Sequence, residues 1–233
     1  MRHLLMGFLI LVCWTLGSCK KELSASGNPT TITLQFNDKV TIAPLVLNTP
    51  YTSSLGEIFS VTVFKYYISD IQLISSNGTT TAAPLIFHLV DASDTTTNTI
   101  SFTGVADSLS GISFVVGADT SHAPGPIMAD LEGVSPASTQ PGYAFTYQIQ
   151  GFTGPNSVLR KVTLALPGLP VTLNPILPDT LLISIDANVD AWFNGPHILE
   201  ISDNATCTTP GPLASEYADN YARMFVARNV TVK

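Results

Sequence analysis

Thr31-Ile-Thr-Leu-Gln-Phe36 alternates apolar and polar residues without a break, so Ile32, Leu34 and Phe36 share one face of a strand. Outward from it, similar runs recur between turn signals. Asn37-Asp38-Lys39 reads as a turn into Val40–Leu47, and Phe59–Leu73 holds two strand-like stretches. Leu85–Val90 is nearly continuously apolar, and Gly111–Val116 is another strand. Tyr143–Ile149 and Val162–Leu166 read as a hairpin across the Gly151–Ser157 loop. Leu181–Ile185 alternates again, and Asn229–Val232 adds a terminal strand. About ten strands divided by Gly, Pro, Asn and Asp clusters point to a mostly β sandwich or barrel, not to βαβ units.

One segment departs from this period. Leu213, Tyr217, Tyr221 and Met224/Phe225 fall on one face at helical spacing. Pro212 suits the first helical position, and Glu216 and Arg223 suit the two ends of the dipole. One short C-terminal helix is expected there, with a single helical turn at Ala191–Asn194. Ala118–Pro141 is too long for a mere connection and reads as a functional loop.

The N-terminus has its own logic. Arg2 and His3 precede an apolar run, Leu4–Leu16, and Leu16-Gly17-Ser18-Cys19 follows. The run is shorter than the roughly 20 residues a spanning helix needs, but it fits a signal peptide. The small-small-Cys ending resembles a bacterial lipobox, which implies cleavage after residue 18 and lipidation of Cys19. The other reading is an ordinary secretory peptide cut nearby with Cys19 unmodified; both readings export the chain. Residues 19–29, polar with Ser, Gly and Pro, form a flexible tether, and 30–233 form one β domain. The expected location is the cell envelope, on the periplasmic face or the surface, with the membrane as a partner through the lipid.

Ten Lys and Arg stand against seventeen Asp and Glu, a net charge of −7. That excludes nucleic acid as the main partner, since it needs clustered cations. Of three cysteines, Cys13 leaves with the signal and Cys19 takes lipid, so Cys207 has no disulfide partner and reads as a small buried residue.

Chemistry-bearing motifs are sparse. G-x-S-x-G, Walker and dinucleotide glycine patterns, His-x-x-x-His and C-x-x-C are all missing, so no enzyme is expected. The domain has three histidines. His88 lies inside an apolar strand and needs a hydrogen-bond partner or a metal there; His122 sits in the long loop; His197 follows Pro196. Trp192 and Phe193 read as a core plug.

Phe59-Ser-Val-Thr-Val-Phe-Lys-Tyr-Tyr-Ile-Ser-Asp-Ile-Gln-Leu73 resembles a signature of the MbnP-like copper-binding domains, common among lipoproteins of Bacteroidetes-type bacteria. Further stretches fit in order: His88–Asp91, Ile112–Asp119 with Ser121-His122, Asp190–Pro196 and Ala218–Phe225. The resemblance implies an antiparallel β-sandwich that binds copper, with His88 and His122 as the metal ligands. In characterised relatives a kynurenine, made by a partner dihaem enzyme, joins two histidines. Ser135–Tyr143 lacks the tryptophan of that pattern, so no kynurenine ligand is expected here. Met128 and Cys207 are candidate auxiliary ligands. The expectation is a non-catalytic, membrane-tethered copper-binding protein, with a metal-donor or redox partner of unknown identity. The alternative is a metal-free structural or interaction module of the envelope on the same scaffold.

Overall fold

The structure, a computed structural model, describes residues 30–85, 87–104, 108–118, 127–135, 143–151, 157–168, 171–172 and 180–232. In chain order the strands are β1 (Thr30–Val40), β2 (Ala43–Pro44), β3 (Pro50–Thr52), β4 (Ile58–Ser75), β5 (Thr80–Ala82), β6 (Phe87–Asp91), β7 (Thr99–Gly104) and β8 (Ser108–Val116). There follow β9 (Ile127–Ser135), β10 (Tyr143–Gln150), β11 (Arg160–Ala165), β12 (Val171–Thr172), β13 (Thr180–Asn188) and β14 (Thr206–Cys207). Helix α1 (Pro212–Tyr221) and β15 (Phe225–Val232) complete the chain, with 3-10 turns at Thr95–Asn98 and Val189–Trp192. No helix among the described residues is long and apolar enough to cross a membrane.

The strands form two sheets. The smaller runs β15-β13-β1-β2, with β7 also paired to β1; the larger runs β11-β8-β4-β9-β10-β14. Strand β4 organises the larger sheet. Its one edge carries β9 and then β8; its other edge carries β3, β6 and β5. Alternation along β1 seats Ile32, Leu34 and Phe36 at 0–1 % exposure against the facing sheet, as the opening motif requires. Phe36 meets the rings of Tyr66, Phe114 and Phe225 at centroid distances of 6.1–6.2 Å. Each such buried side chain contributes about 1.5–3 kcal/mol, and rings from both sheets and both termini share this cluster.

The mostly β reading and the single C-terminal helix hold, and five local expectations change. Phe59–Leu73 is one strand, bent where Asp70 adopts φ +46° and the register with β8 slips. Asn37-Asp38-Lys39 is not a turn: these residues continue β1, because β13 pairs alongside them from Asp186 to Asn188. That pairing is parallel, as is β10 with β14, so the sandwich is mixed where a purely antiparallel one was expected. The β10–β11 hairpin does not form; β10 pairs with β9 and β11 with β8, two strands that meet successive lengths of the same edge of β4. The Ala118–Pro141 stretch contains β9, whose alternate residues Ala129, Leu131 and Gly133 face β4 and β10 partners.

Candidate functional site

On β6, His88 lies opposite Ile68 and Val90 opposite Tyr66, so both face the interior; Leu89 and Phe87, opposite Tyr67 and Ser69, face outward. Ile68, Tyr66 and Val90 are fully enclosed, while His88, on a strand at the flank of β4, is half-buried. Its Nε2 lies 2.6 Å from the Thr97 carbonyl oxygen. A carbonyl only accepts, so Nε2 carries the hydrogen and, in the neutral ring, Nδ1 holds the lone pair. No hydrogen-bond partner occupies Nδ1 among the described residues.

The turn that presents this carbonyl is tightly built. Asp94 Oδ1 accepts from the Thr96 N–H at 3.0 Å and the Thr96 hydroxyl at 2.7 Å. The Thr97 hydroxyl donates to the Asp94 carbonyl at 2.7 Å and accepts from the Asp91 N–H at 2.8 Å. Asp91 in turn accepts from the Ser93 N–H and hydroxyl and pairs with Lys65 at 2.9 Å. Partial burial opposes ionisation of Asp91, but the Ser93 and Lys65 contacts outweigh it and hold the carboxyl below its usual value. The carbonyl facing His88 is therefore positioned by a closed chain of local hydrogen bonds.

Beside it the two sheets share a polar corner. The Tyr66 hydroxyl donates to Asp38 Oδ1 at 3.1 Å across the interface. Asp38 Oδ2 and Asn98 Oδ1 are enclosed without hydrogen-bond partners among the described residues. Burial pushes the Asp38 carboxyl up to about 6, against the lowering effect of Tyr66 and with some help from Asp91. Nothing in the local pattern points to this; Asp38 reads there as a turn residue.

The other expected residues fall elsewhere. His122 and Cys19 lie outside the described residues. Met128 is fully buried with its sulfur accepting the Ala118 N–H at 3.1 Å. It lines a cleft of about 180 Å³ with Lys65, Tyr67, Leu89 and Asp130, on the outward face of β4, away from His88. Cys207 sits on β14, four strands from β6 in the larger sheet, or roughly 19 Å at the usual strand spacing. Burial pushes its thiol up to about 11, which keeps it protonated. Neither sulfur is brought to His88. Trp192 is the core plug the sequence suggested, fully enclosed against Phe64 and Tyr221.

His197 belongs to a different corner. Its Nε2 lies 3.2 Å from Asp219 Oδ2, and Arg160 Nε donates to the other Asp219 oxygen at 2.6 Å. Arg160 is further spent on the carbonyls of Ser157, Leu159 and Ser215 and on the Ser215 hydroxyl. Asn220, fully buried, clamps the backbone there: its amide donates to the Trp192 and His197 carbonyls, and its Oδ1 accepts from the His197 N–H. No group of three or more His, Cys, Asp or Glu suited to a metal ion occurs among the described residues.

Against known proteins, residues 29–124 match the family model MbnP, a stretch that includes both His88 and His122. The solved structure of MbnP from Methylosinus trichosporium superposes with a TM-score of 0.51 at 12% identity, covering 78% of this chain and 83% of that one. At that identity the likeness is one of fold. No protein of curated function matches the sequence.

Proposed function

We propose, from the match of residues 29–124 to the MbnP family model, that this chain is a non-catalytic copper-binding protein of the cell envelope, tethered through lipid on Cys19, with His88 and His122 as ligands. The observation that carries the reading is the Thr97 carbonyl. Metal-binding imidazoles characteristically give their second ring N–H to a carbonyl or carboxylate, which fixes the tautomer and turns the free lone pair to the ion. His88 has that arrangement, with Nδ1 as the free nitrogen. Neutral imidazole suits copper(I), and His122 stands four positions past Ala118 in the chain, outside the described residues.

A metal-free envelope module is the second reading. It is favoured by the same hydrogen bond, which also satisfies a half-buried histidine. The two separate in one titration. The purified full-length chain, in detergent, is loaded with copper(I) and competed with a chromogenic chelator. The copper reading expects a stoichiometric site that is lost when His88 and His122 are both replaced by Ala. Unchanged affinity in that double variant, or no site in the parent chain, leaves the metal-free module.

A further inference from the structure

Another opening is lined by no residue of the His88 corner. A cleft of about 640 Å³ runs between β11 of the larger sheet and β15 with α1, lined by Val162, Leu164, Phe225, Lys161, Arg223 and the Arg160–Asp219 pair. Among the described residues, β11 hydrogen-bonds only to β8 and β15 only to β13. Both strands bordering the cleft thus present an open edge of main-chain donors and acceptors.

The charge around it differs from that elsewhere among the described residues. Among the described lysines and arginines, Lys39 and Arg228 pair with Asp186, Lys65 pairs with Asp91, and Arg160 pairs with Asp219. Lys161 and Arg223 are exposed and form no ion pair among the described residues. In a chain of net charge −7, the two cations without an ion pair among the described residues flank one cleft. Asp219 does not neutralise them, because Arg160 and His197 already hold both of its oxygens. The negative charge elsewhere is screened beyond ~8–10 Å at physiological salt, so an arriving ligand meets the local cations.

We propose that this cleft docks an extended acidic peptide segment of a partner protein, which adds as a strand to the free edge of β11 and sets carboxylates against Lys161 and Arg223. Strand addition uses main-chain hydrogen bonds for affinity and alternate side chains for selection. The alternation of β11 suits that division: Val162 and Leu164 are buried in the floor, while Lys161, Thr163 and Ala165 are exposed. A lysine on an edge strand ordinarily discourages pairing with another chain; here the same charge rejects basic strands and admits acidic ones. Nucleic acid would need more cations than two, and a small anion would leave the strand edges unused.

The test is fluorescence anisotropy of the full-length protein with a fluorescein-labelled peptide alternating Glu and Val over seven residues. Two companion probes carry Gln in place of Glu, or N-methyl amides at alternate positions. Saturable binding of the acidic peptide is expected, weakened at least tenfold in the Gln probe, in the N-methylated probe, and in a protein carrying Lys161→Gln with Arg223→Gln. Both replaced side chains are exposed, so the variant's melting temperature should match the parent's. No saturable binding, or binding that ignores the paired substitution, overturns the site. Binding that survives N-methylation overturns strand addition.

Discussion

His88 and His197 occupy opposite kinds of corner. His88 faces a backbone carbonyl and keeps a nitrogen in reserve, and the Asp91–Thr97 and Thr97–Asp94 hydrogen bonds beside it form without its ring. His197 is woven into its surroundings: its ring meets Asp219, its N–H and carbonyl meet Asn220, and Asp219 is anchored to Arg160. Gly195 leaves the room Asn220 needs, since a Cβ there would lie 2.6 Å from Asn220 Oδ1. Two histidines of one small domain therefore differ in what they can spare. The one bound to a carbonyl is available for a ligand; the one bound to a carboxylate is part of the frame.

That contrast breaks or holds under substitution. Asn220→Ala removes three hydrogen bonds at a fully buried position and leaves backbone groups unpaired. A loss of about 4 kcal/mol is expected in urea unfolding, whereas His88→Ala should cost only about 1 kcal/mol. Equal losses would erase the distinction.

The next largest effect concerns the polar corner near His88. The Asp38 carboxyl is raised from 3.8 to about 6 in the folded protein. Between those values the native state holds a proton that the unfolded state has released, so stability falls as pH rises through that window and levels off above it. Asp38→Asn keeps an acceptor for Tyr66 and removes the titration. Relative to the parent it should gain about 2 kcal/mol between pH 4 and pH 7, read from unfolding midpoints at the two pH values. A flat difference would mean that the carboxyl is better solvated than its burial implies.

The smallest effect belongs to Asp219. Burial opposes its ionisation, but the hydrogen bonds from Arg160 and His197 lower its pKa. A carboxyl held low stabilises above its unfolded value and loses that contribution as pH falls through the folded one. Asp219→Asn should therefore destabilise by about 1 kcal/mol at neutral pH, given the exposure of the pair, and flatten the stability profile below pH 4. An unchanged acid limb would show that another carboxylate dominates there.

Much of the architecture was legible locally. Alternation placed Ile32, Leu34 and Phe36 in the core, helical spacing found α1, and Trp192 with Phe193 read as buried bulk; all are enclosed. These signals depend on which faces of an element are apolar, and a short window contains that information. The hairpin expected between Tyr143 and Leu166 failed because β10 takes the strand just before it, β9, as its partner, while β11 pairs non-locally with β8. The Asn37–Lys39 turn failed similarly, since β13, some 150 residues later, supplies the pairing. Arg223 looked like a charge complementing a helix dipole, yet it lies past the end of α1 on the rim of the open cleft.

The sequence by itself determined the β class, the core faces, the acidic balance and the isolation of His88 within an apolar strand. Tertiary structure alone decided which nitrogen of His88 is spent, that Asp38 is enclosed against Tyr66, and that Lys161 and Arg223, without ion pairs among the described residues, flank one cleft. The physical reason is range. Side-chain polarity and period act over a few residues, whereas a hydrogen-bond partner, a desolvated carboxyl and a charged cleft exist only once segments distant in the chain share a surface.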